Sequence, residues 1–175
     1  MLFDDPATTD PYAGAVTWDR AGALRVAVLF PPYVLLVRAH LKGMLELIDQ
    51  RASEAADAEL DARLALPVRR AREMRAETRP EAEVLADIQA RQAWALSMLP
   101  DRGGVVELAT EQEQWWFGHA LLDVCTAIHA QLGEWLHGRH IGGRYCPDEE
   151  TWQLWDRQYH WLSTQFVEPL QPAVS

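Results

Sequence analysis

Cysteine is scarce in this chain: 175 residues hold two, Cys125 and Cys146. A disulfide-stapled scaffold is excluded, and none is needed, because a domain of this length buries about 70% of the surface its unfolded chain would expose. Missing too are the CxxC and HExxH patterns of zinc sites, the Walker loop, the GxGxxG turn and the GxSxG nucleophile elbow. The expectation is a non-enzymatic protein that uses no cofactor. No apolar run reaches the ~18 residues of a membrane span, and even VAVLFPPYVLLV is divided by Pro31 and Pro32. The opening MLFDDPATTD lacks both the basic and the apolar region of a secretory signal, so the two cysteines read as belonging to a reducing, cytoplasmic setting without membrane contact. Basic charge is the minority: 16 Lys and Arg face 26 Asp and Glu, a formal net charge of -10. The averaged field repels phosphate backbones, so DNA contact needs a segregated basic patch.

Tryptophan is what the chain has in plenty, with 8 against 4 Tyr and 4 Phe. Side chains of that size must form a core or a contact surface. Residues 1–13 carry Pro6, Pro11 and an acidic pair without apolar period, and read as a loose tail before a single domain over 14–170. AVTW, DRAG and ALRVAVLF read as a β-hairpin, with Leu24, Val26 and Val28 on one face and Arg25 on the other. A first helix is predicted from Pro32 to Gln50 on the stripe Val34, Val37, Leu41, Met44 or Leu45, and Ile48. The acidic, alanine-rich segment that follows is a short helix or a connection ending at Pro67. Beyond it, Arg69, Arg72, Arg75 and Arg79 are placed along one side of a helix, interspersed with Glu73 and Glu77.

A second long helix begins at Pro80 and runs through Val84, Leu85, Ile88, Trp94, Leu96 and Leu99. Next, Gly103 and Gly104 permit a turn, VVEL prefers extension, and Thr110 with Glu113 forms a capping box that starts a third helix at Glu111. Phe117, Leu121, Val124, Ile128, Leu132 and Trp135 give that helix its core stripe, and Gly138 is expected to stop it. Pro147 then opens the last helix, whose seam is Trp152, Trp155, Tyr159, Leu162 and Phe166 and whose end is Pro169. The fold class is mainly α: a helical bundle of three to four long helices with a small N-terminal β-hairpin.

Candidate sites are few. His137, His140 and Cys146 are weak metal candidates, three potential ligands where structural zinc wants four; the plainer reading is a connecting turn supplied with glycines. Cys146, beside Arg144 and just ahead of a helix start, is the better candidate for a redox-active thiol than Cys125, which sits about three turns inside the third helix. Arg69, Arg70, Arg72, Arg75 and Arg79 offer the one basic surface, for an acidic partner or for DNA. Trp115 and Trp116 are adjacent and cannot both face one core, so at least one is partly exposed as a partner anchor. A protein partner is favoured, nucleic acid is the alternative, and a homo-oligomer is left open.

The stretch GGVVELATEQEQWWFGHALLDVCTAIHAQLG resembles an uncharacterised actinobacterial domain family encoded beside the ClpS adaptor, some of whose members are described as oxidative-stress-responsive transcription regulators. Gly103, Gly104, Val106, Leu108, Trp116, Asp123, Leu132 and Gly133 carry the resemblance, with the hairpin leading into an LLELID-like helix and the late pair Trp161 and Leu162. It implies a small, mostly helical regulator without a known active site, with transcription regulation as its context. The close cysteine pair associated with the regulatory members is missing, since Cys125 has Leu121 and His129 four positions to either side.

Overall fold

The computed structural model describes residues 11–53, 58–75, 78–141 and 148–171, and their side chains except those of 11, 53, 58–62, 74–75 and 134–141. It is mainly helical, with a small sheet against one side. Strands β1 (Trp18–Ala21) and β2 (Leu24–Leu29) form the expected hairpin. The turn falls later than DRAG suggests, on Gly22 and Ala23, because Gly22 takes the positive φ of 63° that a two-residue hairpin turn demands. The extended VVEL becomes β3 (Gly104–Leu108) and pairs antiparallel with β2, giving the order β1-β2-β3.

Register decides which face is buried. Trp18, Ala27 and Val106 share one rung and point toward the helices with Leu29 and Leu108. Asp19, Val26 and Glu107 share the next and point outward, as do Val28 and Val105. The Leu24, Val26, Val28 row is therefore the outer face, and the core is served by the row that also contains Arg25. Alternation was readable; which row faces the helices was not, because both rows are largely apolar.

Helix α1 (Pro31–Ser53) buries Val34, Val37, Leu41, Met44, Leu47 and Ile48, the predicted stripe with Met44 rather than Leu45 at its centre. Helix α2 (Ala58–Arg75) corrects the expectation that Pro67 ends a segment: Pro67 lies inside it. Proline lacks the N–H for the bond one turn back, but Leu64 and Val68, 2% and 5% exposed, seat this part of the helix in the core and offset the loss. Helix α3 (Glu81–Met98) buries Val84, Leu85, Ile88 and Ala95. Five helices of 14 residues or more are thus present among the described residues, one beyond the expected three to four.

Helix α4 (Glu111–Ile141) is the spine, about 46 Å at 1.5 Å per residue. Its start is the capping box read from sequence: Glu113 N donates to Thr110 Oγ1 at 3.1 Å, while the Glu113 carboxylate accepts from the backbone N–H groups of Ala109 (2.6 Å) and Thr110 (3.1 Å). Phe117, Leu121, Val124, Ile128 and Leu132 are buried as expected. Gly138 does not stop the helix, which continues to Ile141.

The last helix, α5 (Glu149–Leu162), begins on Asp148, whose Oδ1 accepts from Thr151 N at 2.8 Å and whose carboxyl is held below its ordinary range by that bond. Pro147, expected at the first helical position, lies outside the described residues. The chain then passes through a π-helical turn, Ser163–Val167, into the short α6 (Glu168–Leu170), so Pro169 sits within the helical run. The extra residue of the π turn puts Trp161 and Leu162, then Phe166, Val167 and Leu170, all into the core.

Residues 11–13, assigned to the tail by sequence, form a 3-10 turn in which Tyr12 meets Trp161 edge to face at 5.7 Å. Residues 14–18 are tied to residues 161–165 by hydrogen bonds: Trp161 Nε1 to Gly14 O, Val16 N to Gln165 Oε1 and Trp18 Nε1 to Gln165 O, each 2.8 Å. No described helix is long and apolar enough to cross a membrane.

Candidate binding site

A cluster of buried and part-buried polar side chains lies where α2, α3 and α4 meet. Trp115, His119 and Asp123 stand one turn apart on α4 and share a face. Arg91 of α3 reaches across to Asp123, its Nη2 at 2.6 Å and its Nε at 3.2 Å from the same oxygen, Oδ2. The two side chains are only 11% and 5% exposed. Burial pushes the Asp123 carboxyl upward, and the Arg91 guanidinium pulls it back. Beside Arg91, Gln92 is fully buried and donates to Ala120 O at 2.8 Å, a second polar tie between α3 and α4.

Arg70 enters from α2. Its Nη2 lies 3.4 Å from His119 Nδ1, and its Nη1 is buried without a hydrogen-bond partner among the described residues. Burial, then the cations of Arg70 and Arg91, hold the His119 imidazole down to about 4, so the ring is neutral near pH 7. A guanidinium only donates, which assigns the acceptor role to Nδ1 and the proton to Nε2. Trp115 covers the imidazole at 4.0 Å between ring centroids. At the rim, Arg79 pairs with Asp87 at 2.6 Å, and Arg72 donates to Arg79 O at 2.9 Å. The enclosed space is about 20 Å³, room for one water-sized group. The guanidinium groups of Arg70, Arg79 and Arg91, the carboxylates of Asp87 and Asp123 and the neutral His119 imidazole line it, a set that can bind an oxyanion or clamp three helices together.

The arginine row therefore differs from the stripe read in the sequence. Helix α2 ends at Arg75, so Arg79 is off it. Arg70, Arg72 and Arg79 are part-buried and turned toward the protein, while Arg69 is exposed and faces Glu73 at 3.7 Å. The Arg75 side chain lies outside the described residues. Trp116 is 37% exposed and packs edge-on against Trp94 at 5.6 Å, the partly exposed member of the Trp pair that the sequence required.

Cys146 lies outside the described residues, as do the side chains of His137 and His140 on the last turns of α4. No group of three or more potential metal ligands occurs among the described residues. Cys125 is buried, its Sγ 4.0 Å from Tyr159 O, and burial raises its thiol to about 12.

Sequence reading missed the Arg70–Arg91–His119–Asp123 cluster. One signal was available: Trp115, His119 and Asp123 recur every four residues, next to the apolar stripe of the same helix.

A further surface lies on the outer face of the sheet. Val28 stands directly opposite Val105, and the two are 59% and 52% exposed. Phe30, at the exit of β2, and Leu35, in the first turns of α1, are exposed as well. Compared with known proteins, the chain matches no family model, no curated protein and no solved structure. The resemblance carried by residues 103–133 has no counterpart in these comparisons.

Proposed function

We propose that this is a non-enzymatic regulatory or adaptor protein that acts by binding another protein, with transcription regulation as the context implied by the family resemblance. The observation that carries the reading is the Val28–Val105 pair. A central strand and its neighbour hold β-branched side chains in register toward solvent, where alternation would normally place polar residues. Phe30 and Leu35 extend the exposed apolar material along the same stretch of chain, and large exposed apolar surface is a mark of interaction sites. The inward turn of Arg70, Arg72 and Arg79 favours this face over the arginine row as the contact surface.

The test immobilises the full chain and compares it with a Val28→Glu, Val105→Glu double variant of unchanged melting temperature. The expected result is a protein partner retained by the parent chain, insensitive to nuclease and to added salt, and lost at least about tenfold in the variant. Equal retention by both, or retention of no protein above background, overturns the reading. Retention that collapses with nuclease or salt favours the alternative of DNA contact through the arginines.

A further inference from the structure

The hairpin tip carries a charge pair that folding alone does not explain. Arg20 on β1 and Arg25 on β2 are direct cross-strand partners. Both lie on the core-facing row of the sheet, two rungs beyond Trp18 and Ala27. Like charges directly opposite one another destabilise a strand pair, and neither guanidinium has an ion-pair or hydrogen-bond partner among the described residues. Opposite them lie the first turn of α4 and the end of α6, and the groove between has a volume of about 610 Å³, within the range of small-molecule sites. Gln114 fixes its geometry, its side-chain amide donating to Ala23 O in the hairpin turn and, at 3.3 Å, to Leu108 O at the end of β3. Glu111 is the single acid on the lining; Trp115 and Leu170 give it apolar walls, and Gln171 stands near the rim.

The geometry points to a binding site for a small phosphate monoester with a flat organic body. Two guanidinium forks lining one groove offer more donors than one carboxylate has oxygens to accept, whereas a phosphate monoester has three terminal oxygens and can engage both. The Trp115 indole, which separates this groove from the arginine–carboxylate cluster on its other side, supplies a surface for the flat body. The dimensions suit a free molecule of nucleotide size. The site is distinct from the outer sheet face and does not depend on the partner-binding reading.

Calorimetric titration of the full chain with adenosine monophosphate, adenosine and inorganic phosphate tests the assignment. Adenosine monophosphate is expected to bind one to one, with adenosine and phosphate at least about tenfold weaker, since each keeps only half of the contacts. Arg20→Gln and Arg25→Gln are each expected to weaken binding about tenfold or more, while Arg69→Gln leaves it unchanged. The free Arg20→Gln and Arg25→Gln chains should melt no lower than the parent, because each substitution relieves the like-charge pair. A purely structural role for the arginines predicts a lower melting temperature. No binding of adenosine monophosphate at millimolar concentration, unchanged affinity in both variants, or phosphate binding as tightly as the nucleotide, an adventitious ion only, would each overturn the proposal.

Discussion

Asp123 shows how much one residue can carry. Its carboxylate is 5% exposed and held by two bonds from Arg91, so removing it strands a guanidinium that is itself only 11% exposed. Asp123→Ala is expected to cost about 3–5 kcal/mol, the range for breaking a buried pair from one side, read as a lower urea midpoint at pH 7. His119 and His40 supply the pH dependence, both held down to about 4 by burial, with the cations of Arg70 and Arg91 adding to the effect at His119. Their folded values lie below the ordinary 6.5, so between pH 6.5 and 4 the unfolded chain binds the more protons. Stability from these groups is complete above that window and lost as pH falls through it. Denaturation midpoints across the window should drop with acid, and His40→Gln with His119→Gln should remove up to about two protons' worth of that slope. A slope unchanged in the double variant would mean that neither ring is buried neutral. Little of this was legible in sequence: spacing shows that His119 and Asp123 share a helix face, but not that Arg91 and Arg70, from two other helices, close upon them.

Among the elements, those whose ends are marked by local chemistry were the legible ones. The Thr110–Glu113 box fixes the start of α4 through bonds made within four residues, and nothing distant can move it. Thr110→Ala removes the side-chain acceptor for the Glu113 N–H and is expected to cost about 1 kcal/mol, checked by thermal melting against Thr110→Ser, which keeps the hydroxyl and should lie within a few tenths of the parent. Elements judged by a single breaker residue were misplaced. Pro67, Gly138 and Pro169 each look like a stop, yet each lies inside a helical run. The penalty for a helical glycine or proline is about 1–3 kcal/mol, and burying neighbours such as Leu64, Val68 or Leu170 offsets it in a way that depends on tertiary packing and so leaves no local trace. The sheet faces follow the same division, with alternation encoded locally and orientation set by the helices.

Across the whole molecule, the sheet and the ties between residues 14–18 and 161–165 make stability a non-local property. Strand β2 lies between β1, its hairpin neighbour, and β3, about 80 residues away in the chain, and Arg25 pairs with Leu108 in that second ladder. Beneath the hairpin, Gln165 ties the segment entering β1 to the π turn: its side chain accepts from Val16 N and its carbonyl from Trp18 Nε1. Trp18 in turn lies edge-on to both Phe117 of α4 and Phe166 of the π turn, at 6.3 and 6.1 Å, so the same indole joins strand, spine and C-terminal helix. Gln165→Ala leaves the Val16 N–H in a part-buried site without its acceptor, at an expected cost of about 1–3 kcal/mol. Because β1 is an edge strand held on one side only by β2, the loss should appear first there: amide exchange over Trp18–Ala21 is expected to quicken roughly fivefold or more, with a smaller change in α3. Equal acceleration in both would mean that the tie is broken only in global unfolding and that the hairpin never opens by itself. Selective opening of β1 would also shift Arg20 away from Arg25 while leaving the Val28–Val105 pair, which joins β2 to β3, in place, so the Gln165 tie would govern how often the proposed phosphate site is intact.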